Sequence, residues 1–335
     1  MDYKDQIDPE LRDTARQVPF NRRIIRVGNL YQSAVLKLMK ISGDVAAKTI
    51  EIEGYQDKKY KTEIFTPADA KGPMPALIYV HGGAFCYKAA TYHKNLACIY
   101  AAKAKCKVFF PDYRLAPEYP YPAGLEDVRS LYRYVSERAE ELGIRKDMIG
   151  LAGDSAGATI AALICNEYEK ENLIKPCLQM LVYPLTDADM ETRSMKEYTD
   201  TPFWNSSNQR QMWEFYFGDR YNEVFENGVL KEDVKKESLP MYSGLPARIP
   251  DTYIETAEFD CLHDEGILYG HRLQKAGANV EYNDTKRTFH GYDMALDAQI
   301  VKEAVKRRLS FLRRHFQGGI DRTGHTTCPK FEERL

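Results

Sequence analysis

The sequence contains no uninterrupted run of about 18 apolar residues, the length that a membrane-spanning helix needs. The first residues, MDYKDQIDPELRDTARQVPF, also lack the apolar segment of a secretory signal. The formal net charge is only −2, so no excess of positive charge indicates a nucleic-acid partner. We therefore expect a cytoplasmic protein with no membrane span, no nucleic acid and a small molecule as its partner.

Cysteine spacings that hold metals are absent as well. None of the seven cysteines forms a C-x-x-C pair, and their number is odd. Cys86 and Cys261 lie in or beside apolar segments, which is typical of reduced thiols packed in the interior of a cytoplasmic protein. No cysteine and histidine spacing indicates zinc. We expect no metal and no organic cofactor.

Strand and helix patterns alternate along most of the chain. Apolar runs such as MPALIYV, KVFFP and MIGLAG are typical of buried parallel strands, and amphipathic stretches separate them. This alternation predicts an α/β fold with a mostly parallel sheet covered on both faces. It is interrupted between 188 and 240, where the residues show helical spacing but no strand pattern.

These patterns predict four parts of the chain. Residues 46–187 and 241–318 form the α/β core, residues 188–240 form a cap inserted into it, and residues 319–335 form a C-terminal tail. Residues 1–45 contribute N-terminal cap helices; because this segment is basic and amphipathic, the surface of a membrane is an alternative place for it. The last strand would lie at a sheet edge, where pairing with a second copy would give a homodimer.

A serine lies where the third buried strand turns into a helix. Gly153-Asp154-Ser155-Ala156-Gly157 fits the pattern G-x-S-x-G, and the small-residue run ATIAALI follows it. A sharp turn from strand to helix crowds the neighbouring backbone, and glycines on both sides of the serine relieve that crowding. The hydroxyl then projects above the carboxyl edge of the sheet, where open α/β sheets bind ligands. Ser155 is therefore the predicted nucleophile.

A serine nucleophile needs a base and an acid that orients the base. His290 follows the last strand and Asp260 ends the strand before it, so both would reach the same sheet edge as Ser155. Asp264 is better explained as an acidic residue at a helix N-terminus. His263, the rival base, is very close to Asp260 along the chain. The order Ser155, Asp260, His290 is that of α/β-hydrolases.

Two further segments complete the predicted site. After the first buried strand, His81-Gly82-Gly83-Ala84 offers backbone N–H groups for an oxyanion, together with the N–H of Ala156. The insertion carries Phe203 and both tryptophans, Trp204 and Trp213. These rings either anchor the cap to the sheet or close a roof over Ser155, and a roof would limit the size of the acyl group.

These segments together resemble the hormone-sensitive-lipase-like branch of α/β-hydrolase esterases. HGGAF, DYRLAPEYPYPAGLEDV, GDSAGA, LVYPLTD, ETAEFDCLHDEG and FHGY occur in this order over roughly residues 58–315. The resemblance implies an eight-stranded, mostly parallel sheet with a helical cap. It also implies Ser155 as nucleophile, His290 as base, Asp260 as acid, and acyl groups from acetyl to about hexanoyl.

There are three departures from the pattern of that family. Ala84 replaces a frequent third glycine but keeps its N–H, and Ala158 replaces a glycine after the serine. Cys261 and His263 stand where proline and arginine are frequent, which puts the local turn after Asp260 in doubt.

The sequence predicts a serine carboxylesterase acting through an acyl-enzyme. An amidase, peptidase, deacetylase or lipase of the same mechanism is an alternative, and so is a ligand-binding protein of this fold without catalysis.

Overall fold

The computed structural model describes residue 3 and residues 5–317. Its centre is an eight-stranded sheet with the strand order β1-β2-β4-β3-β5-β6-β9-β10. β2 runs antiparallel to both of its neighbours, and all other neighbouring strands are parallel. The predicted mostly parallel sheet of eight strands is therefore confirmed. The strands are β1 Val45–Glu53, β2 Lys59–Pro67, β3 Met74–Val80, β4 Lys107–Pro111, β5 Ile144–Asp154, β6 Leu178–Val182, β9 Asp251–Phe259 and β10 Val280–Phe289.

Helices cover both faces of the sheet, because the buried strands are apolar on both sides. In β3, Ala76, Ile78 and Val80 belong to the core under α3, α4 and α9, whereas Leu77 and Tyr79 belong to the core under α2 and α10. These helices are α2 Thr91–Ala104, α3 Ala123–Glu137, α4 Ala156–Glu167, α9 His263–Lys275 and α10 Gln299–Phe316.

The segment between β6 and β9 holds short helices and one small hairpin. The helices are α5 Arg193–Glu197, α6 Gln209–Phe217, α7 Tyr221–Val224 and α8 Glu232–Ser238. The expectation that 188–240 contains no strand is wrong, because β7 Phe225–Glu226 pairs with β8 Val229–Leu230. Asn227 and Gly228 connect them with φ values of 52° and 82°. Asparagine followed by glycine favours this turn, in which both central residues need positive φ.

The N-terminal segment contains one α-helix, α1 Arg22–Leu38, within residues 5–43. Ile7 and Leu11, which precede it, are buried with the α2 and α10 face of the core. Phe20 packs against the rings of Trp204 and Phe215, with centroids 5.2 and 5.6 Å apart. The predicted division into core and cap stays a prediction, and the predicted tail lies outside the described residues.

Within the part of the chain that the structure describes, no helix combines the length and the apolar character that crossing a membrane requires.

A buried cluster of charges lies under the carboxyl edge of the sheet. Arg308 of α10 is fully buried and pairs with Glu255 of β9 and, at 2.9 Å, with Asp293. Burial alone would raise the pKa of Glu255, but the guanidinium of Arg308 outweighs it and holds that pKa below its usual value. The carboxylate of Asp293 also accepts a hydrogen bond of 3.0 Å from the Tyr183 hydroxyl.

Removing the cation of this cluster should destabilise the protein strongly. Arg308→Met leaves two buried carboxylates without a counter-charge, so we expect the free energy of unfolding to fall by about 3–5 kcal/mol. Arg314→Met, on the same helix, breaks a partly exposed pair with Glu281 and should cost less than about 1 kcal/mol. Urea unfolding of both variants measures the difference, and equal losses would contradict it.

Candidate active site

Ser155 occupies the corner between β5 and α4. Its backbone has φ 52° and ψ −123°, a conformation that residues other than glycine rarely adopt. The Ser155 N–H donates to the carbonyl of Val182, at 2.9 Å, and so fixes the corner to the neighbouring strand. Ala156 begins the helix directly after it. The hydroxyl is therefore held at the carboxyl edge of the sheet, as the G-x-S-x-G pattern predicts.

Gly157 shows why this corner accepts no larger residue. A Cβ built on Gly157 would lie 2.1 Å from the carbonyl oxygen of Val80. The first turn of α4 thus packs directly on the end of β3. This contact brings Ser155 beside the loop that follows β3.

Three predicted residues meet at this edge. The Nε2 atom of His290 lies 2.9 Å from the Ser155 Oγ atom, and its Nδ1 atom lies 2.7 Å from Asp260 Oδ2. A carboxylate only accepts hydrogen bonds, so Nδ1 carries the proton and Nε2 is free to accept one from the serine. Asp260 Oδ1 accepts from the Leu262 N–H at 3.0 Å. All three side chains are nearly or fully buried.

The rival acid Asp264 and the rival base His263 pair with each other. Asp264 accepts hydrogen bonds from the Ser194 N–H and the His263 ring, at 2.8 and 2.9 Å. Burial alone would lower the pKa of His263, but the carboxylates of Asp264 and Asp284 outweigh it and raise this pKa to about 9. His263 is then a cation at neutral pH and cannot act as a base there.

The loop after β3 meets the serine corner through Asp154. The Gly82 N–H donates to Asp154 Oδ2 at 3.0 Å, and the His93 Nε2 atom lies 3.0 Å from the same oxygen. Gly82 therefore cannot offer its N–H to an oxyanion, which corrects its predicted role. No described residue accepts a hydrogen bond from the N–H of Gly83 or Ala84. These two groups and the N–H of Ala156 are the remaining donors of the predicted set.

A cavity of about 390 Å³ opens at Ser155 and His290. Phe203 and Trp204 line it, and whether they contact the substrate stays a prediction. Trp213 does not line it, which corrects that prediction. Trp213 is buried against Phe85 and Phe217, with ring centroids 6.3 and 6.0 Å away, so it joins α6 to the core.

Several lining residues were not predicted from the sequence. The N-terminal segment contributes Phe20, Gly28 and Gln32, and the loop after the glycines contributes Tyr87 and Lys88. The amphipathic pattern of α1 indicated a packed inner face but gave no sign that this face reaches the serine. Tyr183 also lines the cavity, and its ring centroid is 4.6 Å from that of His290.

The two thiols of the segments next to the site are buried. Cys86 and Cys261 are unpaired and buried, and burial raises the pKa of both thiols. Among the described residues, no group of three or more histidine, cysteine, aspartate or glutamate side chains is arranged to hold a metal ion.

Comparisons with known proteins agree with this geometry. A family model described as alpha/beta hydrolase fold matches residues 77–294. The chain is 31% identical to the carboxylesterase NlhH of Mycobacterium tuberculosis, over 81% of this chain and 82% of that protein. It is 31% identical to the esterase LipI of the same species, over 93% and 96%. The solved structure of a bacterial heroin esterase superposes with a TM-score of 0.85 at 29% identity, over 93% of this chain and 99% of that one.

The chain therefore belongs to the α/β-hydrolase family, in its hormone-sensitive-lipase-like branch. It is a carboxylic ester hydrolase.

The raised pKa of His263 predicts a stability change in alkali. The histidine pKa is about 6.5 in the unfolded chain, so its ion pairs contribute fully below that pH and are lost as the pH rises through about 9. Between about pH 7 and pH 10, the native protein should lose roughly 2–3 kcal/mol of unfolding free energy that His263→Gln does not lose. Denaturant unfolding at both pH values measures this, and parallel pH dependences would refute the ion-pair role.

Proposed function

We propose that this esterase works through a triad of Ser155, His290 and Asp260 and prefers short acyl groups. The observation that carries the proposal is the continuous chain of hydrogen bonds, 2.9 Å from Ser155 Oγ to His290 Nε2 and 2.7 Å from His290 Nδ1 to Asp260. No other described serine lines the cavity. The substrate is a small-molecule ester.

In the first half-reaction the Ser155 oxygen attacks the ester carbonyl carbon. His290 Nε2 takes the hydroxyl proton, and the carboxylate of Asp260 stabilises the imidazolium that forms. The proton then passes from Nε2 to the oxygen of the leaving alcohol as the carbon–oxygen bond breaks. An acyl-enzyme on Ser155 remains.

In the second half-reaction water replaces the alcohol. His290 takes a proton from the water, whose oxygen attacks the acyl carbon, and then returns that proton to Ser155 as the acid leaves. Both steps pass through a tetrahedral oxyanion. The N–H groups of Gly83, Ala84 and Ala156 are the proposed donors to it, and the N-terminus of α4 adds a favourable dipole.

The size of the cavity supports small esters. About 390 Å³ is near the lower end of ligand pockets, which span roughly 300–1,000 Å³. Phe203 and Trp204 of the insertion line the cavity, and the Phe20 ring packs against that of Trp204 with 5.2 Å between centroids. Acyl groups from acetyl to about hexanoyl are the proposed substrates, with Phe203 and Trp204 in contact with them.

The triad is tested by substitution. Ser155→Ala and His290→Ala should remove nearly all ester hydrolysis, and Asp260→Asn should lower kcat by about 10³–10⁴, because the imidazole would lose its orienting acceptor. Asp264→Asn is the matched control and should change kcat less than about tenfold. Steady-state kinetics with circular dichroism measure this. A folded Asp264→Asn more damaged than Asp260→Asn would refute the assignment.

The acyl preference is tested with p-nitrophenyl esters from acetate to palmitate. We expect the highest kcat/KM at hexanoate or shorter, because the rings of Phe203 and Trp204 would limit the room for longer chains. Phe203→Ala or Trp204→Ala should move the maximum towards longer chains. Trp213→Ala, a ring outside the cavity, should leave it unchanged. A maximum at decanoate or longer for the native protein would contradict the proposed size limit.

A further inference from the structure

Exposed apolar side chains concentrate on and just before α1. Of nine large hydrophobic side chains that are exposed among the described residues, six lie between 18 and 38. Val27, Leu30, Tyr31 and Leu38 are 60%, 67%, 65% and 84% exposed. Folded proteins rarely leave neighbouring apolar side chains in water unless something covers them.

The outward direction of these side chains follows from how α1 is anchored. Ile25 is buried, Asn29 donates to the carbonyl of Cys86 at 2.9 Å, and Asn29 accepts from the Lys88 N–H at 2.8 Å. These contacts define the inner face. Residues 27, 30, 31, 34 and 38 follow the helical repeat on the opposite side. We call them the outer face of α1.

The charged residues beside the outer face are all basic. Residues 14–43 contain six basic side chains and no acidic one. Arg23, Arg26 and Lys37 are exposed, and within the described structure none of them forms an ion pair. A helix with an apolar face and unpaired cations beside it is the pattern that binds at the surface of an anionic membrane.

We propose that the outer face of α1 binds a lipid surface with anionic headgroups. Val27, Leu30, Tyr31 and Leu38 enter the boundary of the acyl chains, while Arg23, Arg26 and Lys37 contact the headgroups. Charge complementarity selects this occupant over a second copy of the chain. Two copies of α1 packed face to face would oppose cations with cations and supply no acidic partner.

Binding in this orientation would bring the cavity close to the lipid. Gly28 and Gln32, on the inner side of the same helix, line the cavity at Ser155. The helix is about 10 Å in diameter, so the docked protein holds the cavity within about that distance of the lipid. Esters dissolved in the membrane would then reach the serine with little passage through water.

The test is sedimentation of the full chain with vesicles. We expect the native protein to sediment with mixed phosphatidylcholine–phosphatidylglycerol vesicles and much less with phosphatidylcholine alone. Added salt should release it, because salt screens the headgroup attraction. Val27→Ser with Leu30→Ser should weaken binding more than about tenfold, because two apolar side chains no longer gain from leaving water. Arg23→Gln with Arg26→Gln should also weaken it about tenfold or more.

Matched controls are Leu268→Ser and Lys146→Gln, which change an exposed apolar and an exposed basic residue elsewhere. Both should bind vesicles like the native protein. All variants should hydrolyse soluble p-nitrophenyl acetate at the native rate, which shows that they are folded. No binding to anionic vesicles, or equal binding by the α1 variants, would overturn the proposal. So would a native dimer that Leu30→Ser dissociates without any binding to vesicles.

Discussion

The steric contact between Gly157 and the carbonyl of Val80 constrains everything around the serine. It brings the first turn of α4 onto the end of β3 and leaves no room for a side chain at Gly157. Ser155, two residues earlier, has a strained backbone conformation. The same approach places Asp154 within hydrogen-bond distance of Gly82. The proposed nucleophile and the loop that would hold the oxyanion are thus joined by close backbone packing and by the hydrogen bond from Gly82 to Asp154. Such rigidity is what lets fixed N–H donors stabilise charge without reorganising.

A chain of contacts links the buried charges of the interior to His290, the proposed base. Arg308 pairs with both Glu255 and Asp293. Asp293 accepts a hydrogen bond from the Tyr183 hydroxyl, and the Tyr183 ring lies beside that of His290. Each of the two buried carboxylates therefore has an ion-pair partner, as buried charges require. The Tyr183 ring beside the imidazole is thus itself held by a carboxylate that pairs with Arg308.

Much of this arrangement could be predicted from the sequence because it depends on local pattern. Ser155, Asp260 and His290 each follow the last residue of a strand. Because these strands are parallel, their carboxyl ends lie at the same edge of the sheet. The role of Gly82 could not be predicted, because its N–H is taken by a carboxylate 72 residues away along the chain. Periodicity also could not distinguish Trp204 from Trp213, since both lie in an aromatic segment and only tertiary packing decides which ring reaches the cavity. The hairpin at Asn227 and Gly228 was not predicted, although asparagine followed by glycine favours such a turn.

The ring of Phe203 covers Gly291, the residue after His290, so closely that a Cβ there would lie 2.6 Å from it. The Phe203 N–H in turn donates a hydrogen bond of 2.7 Å to the carbonyl of Arg16. The turn that carries His290, the proposed base, is therefore held by a residue that lines the cavity. A motion of that residue wide enough to admit a bulky ester would also release the turn. In the proposed mechanism, the admission of such an ester would therefore also disturb the alignment of His290 with Ser155.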